Sequence, residues 1–123
     1  MARRELPSVI VATLVFLGAA SACAKNTTID EYECPKGGTT LTYDNFGKGF
    51  LDAHCQKCHG QPTKDRNGAP ASFDFHTQAD ALEHKDRIFA RAAADNVTMP
   101  PGPDDPPADE RYQLAEWLAC GAK

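Results

Sequence analysis

Cys55-Gln56-Lys57-Cys58-His59 is the stretch on which the reading of this chain turns. Its two cysteines stand one helical turn apart, each able to form a thioether, and the next residue presents an imidazole. This C-x-x-C-H spacing is that of covalent haem attachment. A bare C-x-x-C also serves zinc sites and thiol oxidoreductases. An oxidoreductase motif needs a surrounding βαβ pattern, and no strand pattern stands out in this sequence. A structural zinc site needs four ligands, often from a second Cys/His pair. His76 and His84 are the histidines available for that, and their spacing is irregular. The expectation is therefore one haem c, with its iron, per chain, held by Cys55 and Cys58 with His59 as an iron ligand.

Upstream of the motif, Tyr43, Phe46, Gly47, Phe50, Leu51 and His54 recur at the spacing of one helical face, with Thr42 placed as N-cap. This helix runs straight into the motif. Downstream, Pro62, Asn67-Gly68 and Pro70 mark residues 61–71 as a loop. Thr77 caps a second helical region, about 78–94, with Leu82, Ile88, Phe89, Ala92 and Ala93 on its apolar side. The polar run Glu83-His84-Lys85-Asp86 divides it into two short helices. Prolines at 100, 101, 103, 106 and 107 keep residues 96–107 out of a continuous helix. A last helix spans 109–120, with Leu114, Trp117 and Leu118 on one side and Gly121 at its C-terminal cap. The fold class is all-α, with three to five short helices.

The chain of 123 residues has room for one domain, and its net charge of −4 argues against a nucleic-acid partner. Residues 1–22 read as a signal peptide. Arg3 and Arg4 form its positive start, Val9 to Ala20 its apolar run, and Ala20-Ser21-Ala22 its small-residue cleavage site. Export places the cysteines in an oxidising compartment. Beyond the motif they are Cys23, Cys34 and Cys120. Cys34 and Cys120 are expected to pair, closing a long loop at a gain of about 4–5 kcal/mol. Cys23 follows Leu17-Gly18-Ala19-Ala20-Ser21-Ala22, which resembles a bacterial lipobox, with Ala20 in place of the usual leucine. A lipid on Cys23 would attach the protein to a membrane surface. Cleavage after Ala24 would instead remove this cysteine. Residues 23–41, with Pro35, Gly37 and Gly38 and no periodicity, read as lipid-anchor cysteine and tether, and residues 42–123 as the domain.

Over roughly residues 42–121 the chain resembles the class I c-type cytochromes, single-domain haem carriers. The resemblance rests on a C-x-x-C-H motif ending an N-terminal helix, with Gly47 eight residues before Cys55 and Leu51 beside it. It implies a cytochrome c-like fold in which the C-terminal helix crosses at Gly47 and Trp117 is its aromatic partner. It implies that the Pro70 carbonyl accepts the Nδ1–H of His59. It also makes Met99, within Thr98-Met99-Pro100-Pro101, the second axial ligand opposite His59. A bis-histidine haem using His76 or His84 is the rival, while His54 is too close in sequence to the motif. Phe73, Phe75 and Phe89 are each candidates for pocket wall or for ordinary core.

The function implied is single-electron transfer with His/Met ligation. The expected protein is a monomer and not an enzyme, working with redox protein partners in the periplasm or at a membrane facing it. The alternative is a haem-based sensor or small-ligand binder with a labile Met99. A gas-binding cytochrome c′ would carry its motif near the C-terminus, and a di-haem peroxidase would carry two motifs. No nucleophile–base pair stands out, and Asp104-Asp105 reads as a solvated turn.

Overall fold

Thr42 starts the helical body by reciprocal capping. Its Oγ1 accepts the Asn45 N–H at 3.1 Å, while its own N–H donates to Asn45 Oδ1 at 2.7 Å. Two amides that no helical carbonyl can reach are thereby satisfied. The computed structural model describes residues 27–103 and 105–123. A π-helical turn, Tyr43–Gly47, leads into α1 (Lys48–His54), and after a break at Cys55 the chain forms α2 (Gln56–His59). Thr77 and Asp80 build a second capping box at the start of α3 (Gln78–Glu83). The expected division of this region falls at His84, after which α4 (Lys85–Ala92) continues. The last helix is α5 (Ala108–Ala119). Among the described residues there is no strand, so the all-α expectation holds.

The core forms where α4 and the Tyr43–Gly47 turn pack on α5. A Cβ on Gly47 would lie 2.5 Å from Cζ2 of Trp117, so only hydrogen fits there. Trp117 is fully buried, with the rings of Tyr43 and Phe46 at 6.4 and 6.3 Å. Its Nε1–H donates to the Lys123 carbonyl at 3.2 Å. Leu51, Phe89, Leu114 and Leu118 complete the fully buried centre. Gly121, at φ +93°, ends α5. Its N–H reaches Leu118 O at 3.1 Å and the Ala122 N–H reaches Trp117 O at 2.9 Å. These two bonds satisfy carbonyls that the helix end would leave open.

Residues 27–41 differ from the tether expected over 23–41. They form a strap lying on the body. It has a single 3-10 turn at Ile29–Glu31, capped by Thr28. Tyr32 packs edge-on to Phe89 at 5.6 Å, and Thr39 Oγ1 donates to Glu116 Oε1 at 2.5 Å. The Cys34–Cys120 disulfide is formed and joins the strap to the end of α5. A polar segment with few apolar residues can stay docked here because a covalent bond removes most of the entropy it would regain by detaching. Residues 1–26, which hold the expected signal peptide and Cys23, and Asp104 lie outside the described residues. No described helix is long and apolar enough to cross a membrane.

Candidate functional site

α2 is one turn long. The Cys58 and His59 amides both donate to Cys55 O, at 3.1 and 2.9 Å. That turn brings Cys55, Cys58 and His59 to the wall of one cavity of about 230 Å³. Phe73, Phe75, Ile88 and Ala92 supply apolar surface on its other sides. The Met99 loop closes it with Met99, Pro100 and Pro101. The four residues predicted as attachment points and iron ligands therefore meet at one place.

His59 is held in a single orientation. Its Nδ1 lies 2.6 Å from Phe73 O, and a carbonyl only accepts, so Nδ1 carries the proton and Nε2 keeps the lone pair. The ring stacks on Phe75 at 4.5 Å and 22°. The His59 carbonyl accepts the Phe75 N–H at 2.9 Å, and the Gln56 side chain donates to Phe75 O. Residues 73–75 are thereby fastened to α2.

The carbonyl that meets His59 is that of Phe73 and not that of Pro70, as the resemblance implied. Pro70 O is engaged elsewhere, by the Phe73 N–H at 3.0 Å and Arg66 Nη2 at 3.1 Å, although Pro70 does line the cavity. Arg66 organises this loop. It donates to Gly60 O at 3.1 Å and Ala69 O at 3.2 Å, and its Nη1 lies 2.6 Å from Asp74 Oδ1. That last contact is an ion pair without the alignment of a hydrogen bond.

Burial, reinforced by the neighbouring Cys58, pushes the Cys55 thiol up to about 12. Among the described residues no strand supplies the βαβ setting that a dithiol oxidoreductase motif needs. Among the described residues no group of three or more His, Cys, Asp or Glu is placed to hold a metal ion, so the zinc reading has no ligand set.

Met99 is 38% exposed and stands on the loop after α4. The amides of Thr98 and Met99 both donate to Arg91 O, at 3.0 and 2.9 Å, which ties the loop to the last turn of α4. His76 and His84 are not among the residues lining the cavity. His84 packs instead against Phe73, at 5.0 Å between rings. His54 does line it, with Nε2 3.0 Å from Glu110 Oε2. Phe73 and Phe75 are walls. Phe89 is not: it is buried in the core beneath Tyr32. Sequence reasoning missed Arg66, Arg87 and Arg91, three cations on an otherwise mostly apolar wall. Nothing in the sequence distinguishes them from solvated surface arginines.

These residues fit a covalently held haem. Two thiols stand one turn apart, an imidazole offers a free Nε2, the walls are apolar for the ring, and guanidinium groups are present for carboxylates. The chain matches the family described as cytochrome c oxidase, cbb3-type, subunit III over residues 45–118, which runs from within the first helical turn to α5 and encloses the C-x-x-C-H motif. No curated protein and no solved structure matches the chain. Covering more than half of the chain, and agreeing with its all-helical fold, the family match makes this protein a member of the cbb3-type subunit III cytochromes, a class I c-type cytochrome and electron carrier with covalently bound haem c.

Proposed function

We propose that this is a single-electron carrier in which Cys55 and Cys58 hold the haem through thioethers and His59 and Met99 are its axial ligands. The observation that carries this reading is the convergence of all four side chains on one cavity, with His59 already locked in the tautomer that leaves Nε2 free. The haem supplies the one-electron Fe(III)/Fe(II) couple, and the chain's own groups set its surroundings. The Phe73 carbonyl fixes the imidazole ring and raises its basicity through the Nδ1–H bond. The Arg91 carbonyl, by holding two successive amides of the Met99 loop, limits the positions the thioether can take. Arg87 and Arg91 are the groups placed to pair with the propionates, the Arg66 guanidinium being spent on the loop carbonyls and Asp74. His59 and Met99 would together hold the iron and leave small ligands no open site, and such His/Met ligation favours a high potential.

The electron then passes to a redox protein or a membrane complex, the family name being that of an oxidase subunit. In this reading the protein is a monomeric carrier and not itself an enzyme. Export by residues 1–22 and a lipid on Cys23 would hold it at a membrane facing the periplasm. Mass spectrometry of the mature N-terminus is expected to show a diacylglyceryl adduct on Cys23, and an unmodified N-terminus beginning elsewhere would remove the anchor from the proposal.

The deciding measurement is the absorption spectrum of protein made in a haem-maturing host, oxidised, then reduced with dithionite, then exposed to carbon monoxide. A sharp reduced α band that carbon monoxide leaves unchanged is expected. Met99→Ala should lose the sulfur-to-iron band of the oxidised protein and gain carbon monoxide binding. The sensor alternative rests on the partial exposure of Met99, and a carbon monoxide shift in the unaltered protein would favour it.

A further inference from the structure

Asn96 is the buried polar side chain of the described residues, 1% exposed, and it stands three positions before Met99. Its Nδ2 spends both protons on main-chain carbonyls, Phe89 O in α4 at 2.9 Å and Thr27 O in the strap at 2.8 Å. Its Oδ1 is buried without a partner, so the amide is held from its donor side alone. The Asn96 N–H closes a turn onto Ala93 O at 2.9 Å. The chain then leaves the interior, with Val97 exposed, before Thr98 and Met99 hook back onto Arg91 O. The segment that delivers Met99 thus has an outer hook at Arg91 and an inner peg at Asn96.

Half of that peg belongs to the strap. Thr27 can receive Asn96 only while residues 27–41 lie on the body, and the strap is fixed there by Tyr32 on Phe89, by Thr39 on Glu116 and by the Cys34–Cys120 disulfide. A continuous set of contacts therefore runs from the end of α5 through the strap to Asn96 and the Met99 segment.

We propose that Asn96 is a positioning residue for Met99, and that the strap, locked by the Cys34–Cys120 disulfide, keeps it so. The inference rests on the reading of Met99 as axial ligand. An exogenous ligand competes with the thioether for iron. Its apparent affinity rises as the segment spends less time in the arrangement that presents Met99. Losing a buried hydrogen bond from the peg should shift that competition about tenfold.

The test is a titration of the oxidised holoprotein with imidazole. Asn96→Asp replaces the donor nitrogen by an oxygen facing two carbonyls. The double substitution Cys34→Ser/Cys120→Ser frees the strap without touching the Met99 segment. Gly47→Ala, at the remote helix crossing, is the control for general loss of stability. Asn96→Asp and the double substitution are each expected to bind imidazole about tenfold more tightly than the unaltered protein. Gly47→Ala should melt at lower temperature with unchanged imidazole affinity. If Asn96→Asp does not fold, the double substitution decides alone. Unchanged affinity in the foldable variants overturns the proposal, and so does equal tightening in Gly47→Ala. In either case the Met99 reading stands if Met99→Ala loses the sulfur-to-iron band. If Met99→Ala leaves the oxidised spectrum as it was, the ligand reading itself fails and takes this proposal with it.

Discussion

Replacing both Cys55 and Cys58 by serine is expected to leave no haem on the chain after denaturation, an all-or-none loss that haem staining of a denaturing gel reads directly. A serine hydroxyl does not form the thioether, and among the described residues no other cysteine lines the cavity. The remaining two described cysteines are bonded to each other, 34 to 120. The loss should also be felt by the fold. Phe73, Phe75, Ile88 and Ala92 line a space whose apolar walls then face water. Each Å² left wet forfeits about 25 cal/mol of burial free energy. The double variant should therefore melt well below the holoprotein, although the His59–Phe73 and Arg66 hydrogen bonds that shape the site do not involve the thiols. Haem that stays bound to the denatured double variant would place the attachment elsewhere and undo the reading of the motif.

Trp117→Ala should cost about 3–5 kcal/mol of unfolding free energy, the range for deleting a large aromatic from a packed core. The indole is fully buried, its face fills the notch left by Gly47, and its Nε1–H satisfies Lys123 O. Gly47→Ala attacks the same contact from the other side. Its Cβ would lie 2.5 Å from a ring atom that is enclosed and cannot swing away, an overpacking cost of about 1–3 kcal/mol. Two residues that touch in this way do not add. In urea unfolding of the holoproteins, Gly47→Ala should be much less costly once Trp117 is already alanine. An equal cost in both backgrounds would mean that the glycine serves some purpose other than this close approach.

The helical body was largely legible from local chemistry. Thr42 and Thr77 have side chains that cap, three residues ahead of side chains that return the bond, so both helix starts announce themselves. The polar run around His84 interrupts an apolar face, and the break falls there. Gly47 and Trp117 lie far apart in sequence, and their pairing came from family resemblance rather than from periodicity. The pairing of Cys34 with Cys120 followed from counting cysteines under an expectation of export.

What escaped notice has physical reasons. The strap holds on through Ile29 and Tyr32, too few apolar residues to make a period, and its Pro35, Gly37 and Gly38 read as linker punctuation. The acceptor for His59 is a backbone oxygen, which every residue possesses. Residue type therefore carries no information on whether Pro70 or Phe73 supplies it, and loop geometry decides. An aromatic side chain suits a pocket wall and a core equally, so the sequence does not separate Phe89 from Phe73 and Phe75. Ile88, next to Phe89, faces the cavity instead, the two lying on different sides of α4. Arg66 belongs to a loop rich in polar residues, yet its side chain is only 18% exposed because several backbone carbonyls converge on it.

The residues around 114–123 close the molecule at many points. Tyr43 N–H donates to Lys123 O at 2.7 Å, the Gln78 side chain donates to Ala122 O at 3.1 Å, Trp117 fills the notch at Gly47, and Cys120 anchors the strap. These residues come tens of positions after the Cys55–His59 turn in the chain. Without them the first helix lacks the partner that buries its apolar side, and the strap has nothing to bond to. Whatever loosens the C-terminal helix would therefore open the first helix and release the strap together.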